Sequence, residues 1–208
     1  MEKEQVLLVA CQIKGSNEEK FHTSLDELAS LTETAEGEVV GVVTQKRERK
    51  HPALYIGEGK LLEIQELMEE NQVDVIILND EVSPGQLRNI SNRLNARVID
   101  RTQLILDIFA RRAKTKEGKL QVELAQMEYL LPRLYGKGIE LSRLGAGIGT
   151  RGPGETKLET DRRHIQRRIT EIKQQLQTIV NQRNQYRKRR KENKVFQIAI
   201  VGYTNAGK

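Results

Sequence analysis

Residues 144–163 read LGAGIGTRGPGETKLETDRR, and the way this stretch divides the chain decides its fold. Glycines at 145, 147, 149, 152 and 154, with Pro153, deny it a regular helix or a central strand. Glycine costs backbone entropy and proline removes a donor. A loop is therefore assigned to residues 136–155. It ends at Thr156-Lys-Leu-Glu159, which fits a capping box, hydroxyl and carboxylate satisfying the first free helix amides. The expectation is a flexible cationic tip on a rigid rod.

On the N-terminal side of the loop, Leu120, Leu124, Met127, Leu131 and Leu134 step by four and three residues, a seam of the helix-packing type. Pro132 is expected to kink or end that helix near Leu131, because it cannot donate to Glu128. On the other side Leu158, Ile165, Ile169, Ile172, Leu176 and Ile179 form a matching seam. Two facing seams joined by a loop make an antiparallel helical hairpin, assigned to residues 113–194. The seam fades after Val180, and RNQYRKRRKENK at 183–194 reads as the solvated end of the rod or as a linker.

Residues 1–112 carry a different pattern. The apolar run at 5–13 reads as a buried parallel strand, EVVGVVT at 38–44 as a second, residues 73–78 as a third and 97–100 as a fourth. Between them fall a helix opened by a capping box at Ser16–Glu19 and closed by Gly37, and one with Leu61, Ile64, Leu67 and Met68 on one face. A third helix is opened by Ser83, Pro84 and Gln86, and the last, 102–112, has Leu104, Ile105, Ile108 and Phe109 apolar. Strands alternating with helices predict an α/β class with a parallel four-stranded sheet and flanking helices. The segment 45–52 reads as basic and exposed, and Lys60, beside two glycines, lacks the spacing of a phosphate loop. Asn79, Asp80, Glu81 and Asp100 follow strand ends, where ligands gather in such sheets. The plainer reading, favoured here, makes them helix caps and strand terminators.

The apolar run VFQIAIV at 195–201 reads as one more buried strand, followed at once by Gly202, Tyr203, Thr204, Asn205, Ala206, Gly207 and Lys208. This is G-x-x-x-x-G-K after a strand, the phosphate-binding loop. Its backbone amides would surround the β-phosphate and Lys208 would neutralise β and γ oxygens. Residues 195–208 are thus the first strand and loop of a truncated nucleotide-binding domain. The Ser or Thr that would hold magnesium lies beyond residue 208, so these residues are expected to bind no nucleotide cofactor and to hydrolyse none.

Charge is unevenly placed. Residues 151–194 hold 14 Lys and Arg against 5 Asp and Glu, a net of +9, while residues 1–150 net −4. A local polycation of this kind meets phosphate backbones or anionic surfaces. The residues named for RNA contact are Arg143, Gly147, Gly149, Thr150, Arg151, Gly152, Gly154, Lys157, Arg162, Arg163, Arg167 and Arg168. RNA is favoured over a merely solvated helix because the excess charge leaves most of those cations without acidic neighbours. Gly147 to Gly152 also satisfies the dinucleotide fingerprint G-x-G-x-x-G, but no apolar strand precedes it. Cys11 is the sole cysteine, which excludes an intrachain disulfide and a cysteine zinc site. The opening MEKEQ lacks the features of a signal peptide and no run approaches a membrane span, so a cytoplasmic, monomeric protein is expected.

Several stretches carry a resemblance to a known family: Asn79-Asp-Glu81 with Gln86-Leu-Arg-Asn89, VIDRTQLILDIF at 98–109, EGKLQVELA at 117–125, and above all GIGTRGPGETKLETDRR at 147–163. In these the chain resembles the HflX family of ribosome-associated GTPases. The resemblance implies an N-terminal α/β domain, a helical arm and a Ras-like GTPase domain using GTP and Mg²⁺. It further implies docking on the 23S rRNA of the large (50S) subunit, the glycine-rich loop nearing the peptidyl transferase region. GTP-dependent splitting or rescue of 70S ribosomes, especially under stress, would follow. Two other readings stay open on the residues alone: a non-enzymatic RNA-binding regulatory module, and an ATP-driven RNA remodeller.

Overall fold

A computed structural model describes residues 3–134, 153–196 and 198–202. Its elements are β1 (Gln5–Ile13), α1 (Glu18–Thr34), β2 (Glu38–Arg47), α2 (Glu58–Asn71) and β3 (Val75–Leu78). They continue with α3 (Pro84–Leu94), β4 (Arg97–Asp100), α4 (Arg101–Arg112), α5 (Lys116–Leu134) and α6 (Pro153–Glu192). The four strands form one parallel sheet in the order β2-β1-β3-β4. The expected α/β architecture is thus present, and the helical arm follows it.

Alternation along the strands sends side chains to two cores. Leu7, Val9, Ile76 and Leu78 meet Leu61 and Ile64 of α2 and Ile90 and Leu94 of α3. Val6, Leu8, Val75 and Ile77 meet Leu28 of α1 and Leu104 and Ile108 of α4 on the opposite face. Strands covered on both faces need continuous apolar runs, which is why VLLVAC and VIIL are uninterrupted.

Several local expectations are corrected. Asn17, not Ser16, caps α1 by accepting from the Lys20 amide, while the Ser16 hydroxyl donates to the Ile13 carbonyl. Glu36 takes the left-handed conformation after α1 (φ 70°). Gly37 is small for another reason, since a Cβ there would stand 2.9 Å from Thr32 Cγ2 and 3.0 Å from Val6 Cγ2. β2 continues to Arg47 because it pairs with β1 as far as Ile13. Phe109 is exposed, the buried stripe of α4 being only Leu104 and Ile108. α5 runs through Pro132 to Leu134, where the Arg133 side chain donates back to the Tyr129 carbonyl. α6 starts at Pro153, three residues before Thr156, in keeping with proline's fixed φ at a first helical position. The capping box at Ser83 and Gln86 is present as read.

The described residues of the run at 195–201 do not form the expected buried strand. The described residues of the run pair with no strand, and Phe196, Ile198, Ile200 and Val201 are all exposed. A strand of this composition needs a neighbour to take its amides and cover its side chains, and no described element offers one.

Candidate RNA-binding arm and nucleotide loop

The arm is anchored through one carboxylate. Asp100, the last residue of β4, is fully buried and caps α4 by accepting from the Gln103 amide at 3.0 Å. The same oxygen accepts from the Tyr129 hydroxyl of α5 at 2.8 Å. Its second oxygen accepts from the Val82 amide at 3.3 Å and pairs with Arg133 at 3.1 Å. The Arg133 guanidinium also lies 3.3 Å from the centroid of the Tyr129 ring. A buried carboxylate is tolerated only when its lone pairs are filled, and here four donors from two helices and the loop before α3 fill them. Burial, then the Asp100 carboxylate, push the Tyr129 phenol pKa above its ordinary value. The expectation that Asp100 caps a helix is met, but its anchoring of α5 was not read from sequence. The available signal was a Tyr and an Arg at i and i+4, both ending on the apolar side of the helix.

Ile172 is fully buried, and Ile165, Ile169, Leu176 and Ile179 are half-buried, so the seam read from sequence faces α5. Among the described residues three ion pairs join the two helices. Arg183, far along α6, reaches Glu117 in the first turn of α5, while Arg168 grips Glu123 with two nitrogens at 2.6 and 3.0 Å. Lys173 pairs with Glu128 at 2.8 Å. The Glu123 hydrogen bonds hold the Arg168 guanidinium pKa above its ordinary value. Arg168, named for RNA contact, is thus also a staple between the helices. Arg163 pairs with Glu159 one turn away at 2.6 Å, and Arg162 is half-buried. Arg167 is exposed and makes no ion pair among the described residues. Gly154 and Lys157 lie in the first turns of α6. Arg143, Gly147, Gly149, Thr150, Arg151 and Gly152 lie outside the described residues, as do Tyr203, Thr204, Asn205, Ala206, Gly207 and Lys208 of the nucleotide loop. Gly202, the loop's first glycine, is exposed.

The other place where an α/β sheet offers a site is the switch point, between β1 and β3 at their carboxyl ends. Here the protein fills it with its own side chains. Tyr55, at φ 65° and fully buried, donates to Asp80 at 2.5 Å and accepts from the Cys11 amide at 2.9 Å. Lys50 pairs with the other Asp80 oxygen at 2.8 Å. On the opposite face Arg101 donates to Asn79 and the Ser24 hydroxyl and pairs with Glu27. Lys60 pairs with Glu63 at 2.6 Å within its own helix. These groups satisfy one another and hold strand ends together; Asn79 and Asp80 follow the end of β3 as the plainer reading has it, but neither caps a helix.

A doubly wound domain with a helical arm leading to a phosphate loop defines a class, and comparison with known proteins assigns it. Residues 22–110 match the family described as the GTP-binding GTPase N-terminal region, and residues 112–190 that described as its middle region. The chain is 59% identical over 205 residues to the GTPase HflX of Alkalihalophilus pseudofirmus, across 99% of this chain and 48% of that protein. It is 47% identical over 191 residues to the GTPase HflX of Escherichia coli, across 92% of this chain and 45% of that protein. Its fold is similar to the crystal structure of an SsGBP and GDP complex, with a TM-score of 0.61 at 22% identity, over 97% of this chain and 48% of that one. The two matches cover the N-terminal and middle regions of one family. The chain belongs to the HflX family, and it spans about half the length of the curated relatives it matches.

Proposed function

We propose that this HflX-family chain serves a ribosome-binding GTPase that associates with the large subunit through 23S rRNA and splits or rescues 70S ribosomes in a GTP-dependent way. The observation that carries this reading is the arm. One continuous helix of 40 residues runs from the predicted cationic tip toward the phosphate loop and ends at Glu192, on a base fixed by Asp100. Phosphate contacts need cations in fixed positions, and they supply most of the affinity for RNA without reading sequence. In the full-length protein Gly202, Gly207 and Lys208 would hold the nucleotide phosphates, which is the chemistry GTP requires of this chain. Magnesium belongs to the proposal as the companion of that nucleotide. Among the described residues no cluster of His, Cys, Asp or Glu could hold one, and no step is assigned to it here. No described helix is long and apolar enough to cross a membrane, and the cytoplasm is the proposed location.

The test is cosedimentation of the 208-residue chain with separated 30S, 50S and 70S particles. Pelleting with 50S, weakened by Arg162→Ala with Arg163→Ala and by rising salt, is the expected result. Absence from the 50S pellet, or equal pelleting with 30S, overturns the RNA-docking reading. For the nucleotide half, the 208 residues alone are expected to release no phosphate from GTP, and Lys208→Ala in the full-length protein is expected to abolish release. GTP turnover by the 208 residues above a buffer control contradicts the first of these.

A further inference from the structure

The cations of α6 are not spread evenly. Residues 151–168 net +3, residues 169–182 net zero with one Lys and one Glu, and residues 183–194 net +6 with seven cations against Glu192. Two thirds of the polycation therefore sits at the end remote from the glycine-rich loop. In the structure this end is helical to Glu192, and every residue from Asn181 to Phe196 is exposed. Arg183, Arg187 and Arg190 recur at spacings of four and three and so share one helix face. With Tyr186, Arg189 and Asn193 they line a shallow groove. Only two of the cations are engaged by acids among the described residues, Arg183 by Glu117 and Lys188 by Glu192 at 3.9 Å. Arg187, Arg189, Arg190 and Lys191 make no ion pair there. Tyr186 is 64% exposed in their midst.

We propose that residues 183–194 form a second RNA-backbone site, separate from the tip, in which Arg187, Arg189, Arg190 and Lys191 contact phosphates and the Tyr186 ring stacks on an unpaired base. The proposal rests on the RNA-binding reading above and adds a contact to it. Four unpaired cations within five residues repel one another, so the helix holds them at a cost that a polyanion would relieve. An exposed aromatic ring among arginines is the arrangement that stacks bases of any sequence. A membrane surface fits less well, because the helical segment has no apolar face opposite its cations with which to enter the lipid interface. At 1.5 Å per residue, Arg187 lies about 50 Å along the helix from Pro153. Tip and far end would therefore touch different parts of a large RNA, and their contributions should be separable.

The experiment compares the parent chain with two variants in binding to 23S rRNA transcribed in vitro, across 50 to 300 mM KCl. The far-end variant carries Arg187→Gln, Arg189→Gln, Arg190→Gln and Lys191→Gln. The tip variant carries Arg162→Gln, Arg163→Gln and Arg167→Gln. Loss of four phosphate contacts should flatten the salt dependence of log K by about 3 and weaken binding at least tenfold at 150 mM. A charge-keeping variant, Arg187→Lys with Arg189→Lys and Arg190→Lys, should stay within about threefold of the parent. The far-end site is overturned if the glutamine variant keeps the parent's slope and affinity while the tip variant loses them, an outcome that leaves the RNA reading standing. It is also overturned if the lysine variant, with helicity at 222 nm unchanged, binds as poorly as the glutamine variant. Tighter binding of the parent to phosphatidylcholine–phosphatidylserine vesicles than to the RNA, lost in the far-end variant, transfers the site to a membrane surface. A parent chain that binds no RNA defeats both readings together.

Discussion

Replacing Asp100 by Asn should destabilise the folded chain by about 3–5 kcal/mol, the cost of leaving a buried charge without its partner. The two carboxylate oxygens accept from Gln103 and Tyr129 on one side and from Val82 and Arg133 on the other. An asparagine has one oxygen to give. Whichever way its amide is turned, its NH₂ group faces two donors, and if the oxygen stays with Tyr129 the Arg133 guanidinium, only 13% exposed, loses its counter-charge. Urea melts followed by circular dichroism at 222 nm and by tyrosine fluorescence suit the assay, because the chain has no Trp. With a denaturant slope of about 2 kcal/mol/M, the midpoint should fall by roughly 1.5–2.5 M. Tyr129→Phe alone should cost about 1–3 kcal/mol by leaving the carboxylate one donor short. Combined, the two changes should cost less than their sum, as residues sharing one network do. A midpoint shift below about 0.5 M for Asp100→Asn, or strict additivity with Tyr129→Phe, refutes the claim that this network anchors the arm.

Burial raises the phenol pKa of Tyr55 and of Tyr129, the neighbouring Asp80 and Asp100 adding to it, so both are held protonated in the fold. Their contribution is complete below the unfolded value near 10 and is lost as pH rises above it, so melting temperature should drop between pH 9 and 11. The drop should shrink when both are changed to Phe. Glu123→Gln removes a half-exposed pair and should cost less than about 1 kcal/mol in a thermal melt. It should also release Arg168 toward RNA, steepening the salt slope of binding by a little under one unit; an unchanged slope assigns Arg168 to the helix interface alone. Ile172→Ala, at a fully buried position of α6, should cost about 2–5 kcal/mol and show as loss of helical signal before the sheet melts.

Much of this architecture was legible because its causes are local. Continuous apolar runs marked β1 and β4 to the residue, and Ser83, Pro84 and Gln86 marked the start of α3, since a capping box depends only on neighbours in sequence. What was missed depends on distant partners. β2 runs three residues past its apolar stretch because β1 is there to pair with, and α5 passes Pro132 with Arg133 tied to Asp100. Tyr55 stands in no sequence motif, yet it plugs the sheet's carboxyl edge, because Asp80 and Cys11 are brought to it only by the fold. The described residues of the run at 195–201 show the converse, a strand composition that forms no strand where no described element stands beside it. At the candidate site, composition gave the total charge of α6, but only the structure separates Arg168, taken by Glu123, from Arg187, Arg189, Arg190 and Lys191, which no described acid engages.

The grip of α5 on α6 also bears on how a nucleotide could be felt at the tip. α5 is fixed to the sheet through Asp100, and the described ion pairs that join it to α6 fall between Arg168 and Arg183, around the buried Ile172. From Arg168 back to Pro153 the helix projects about 22 Å, and from Arg183 forward to Glu192 about 14 Å. A rod held at its middle turns about its support. A displacement imposed at the nucleotide end would reappear at the tip at about the same size and reversed in direction, since Pro153 and Glu192 lie roughly 28 and 30 Å from Ile172 along the helix. The ion pairs at the support are half-exposed and individually weak, so small rotations would exchange them for solvent at little cost. The buried Asp100 network, by contrast, would keep the base of the lever from moving with it.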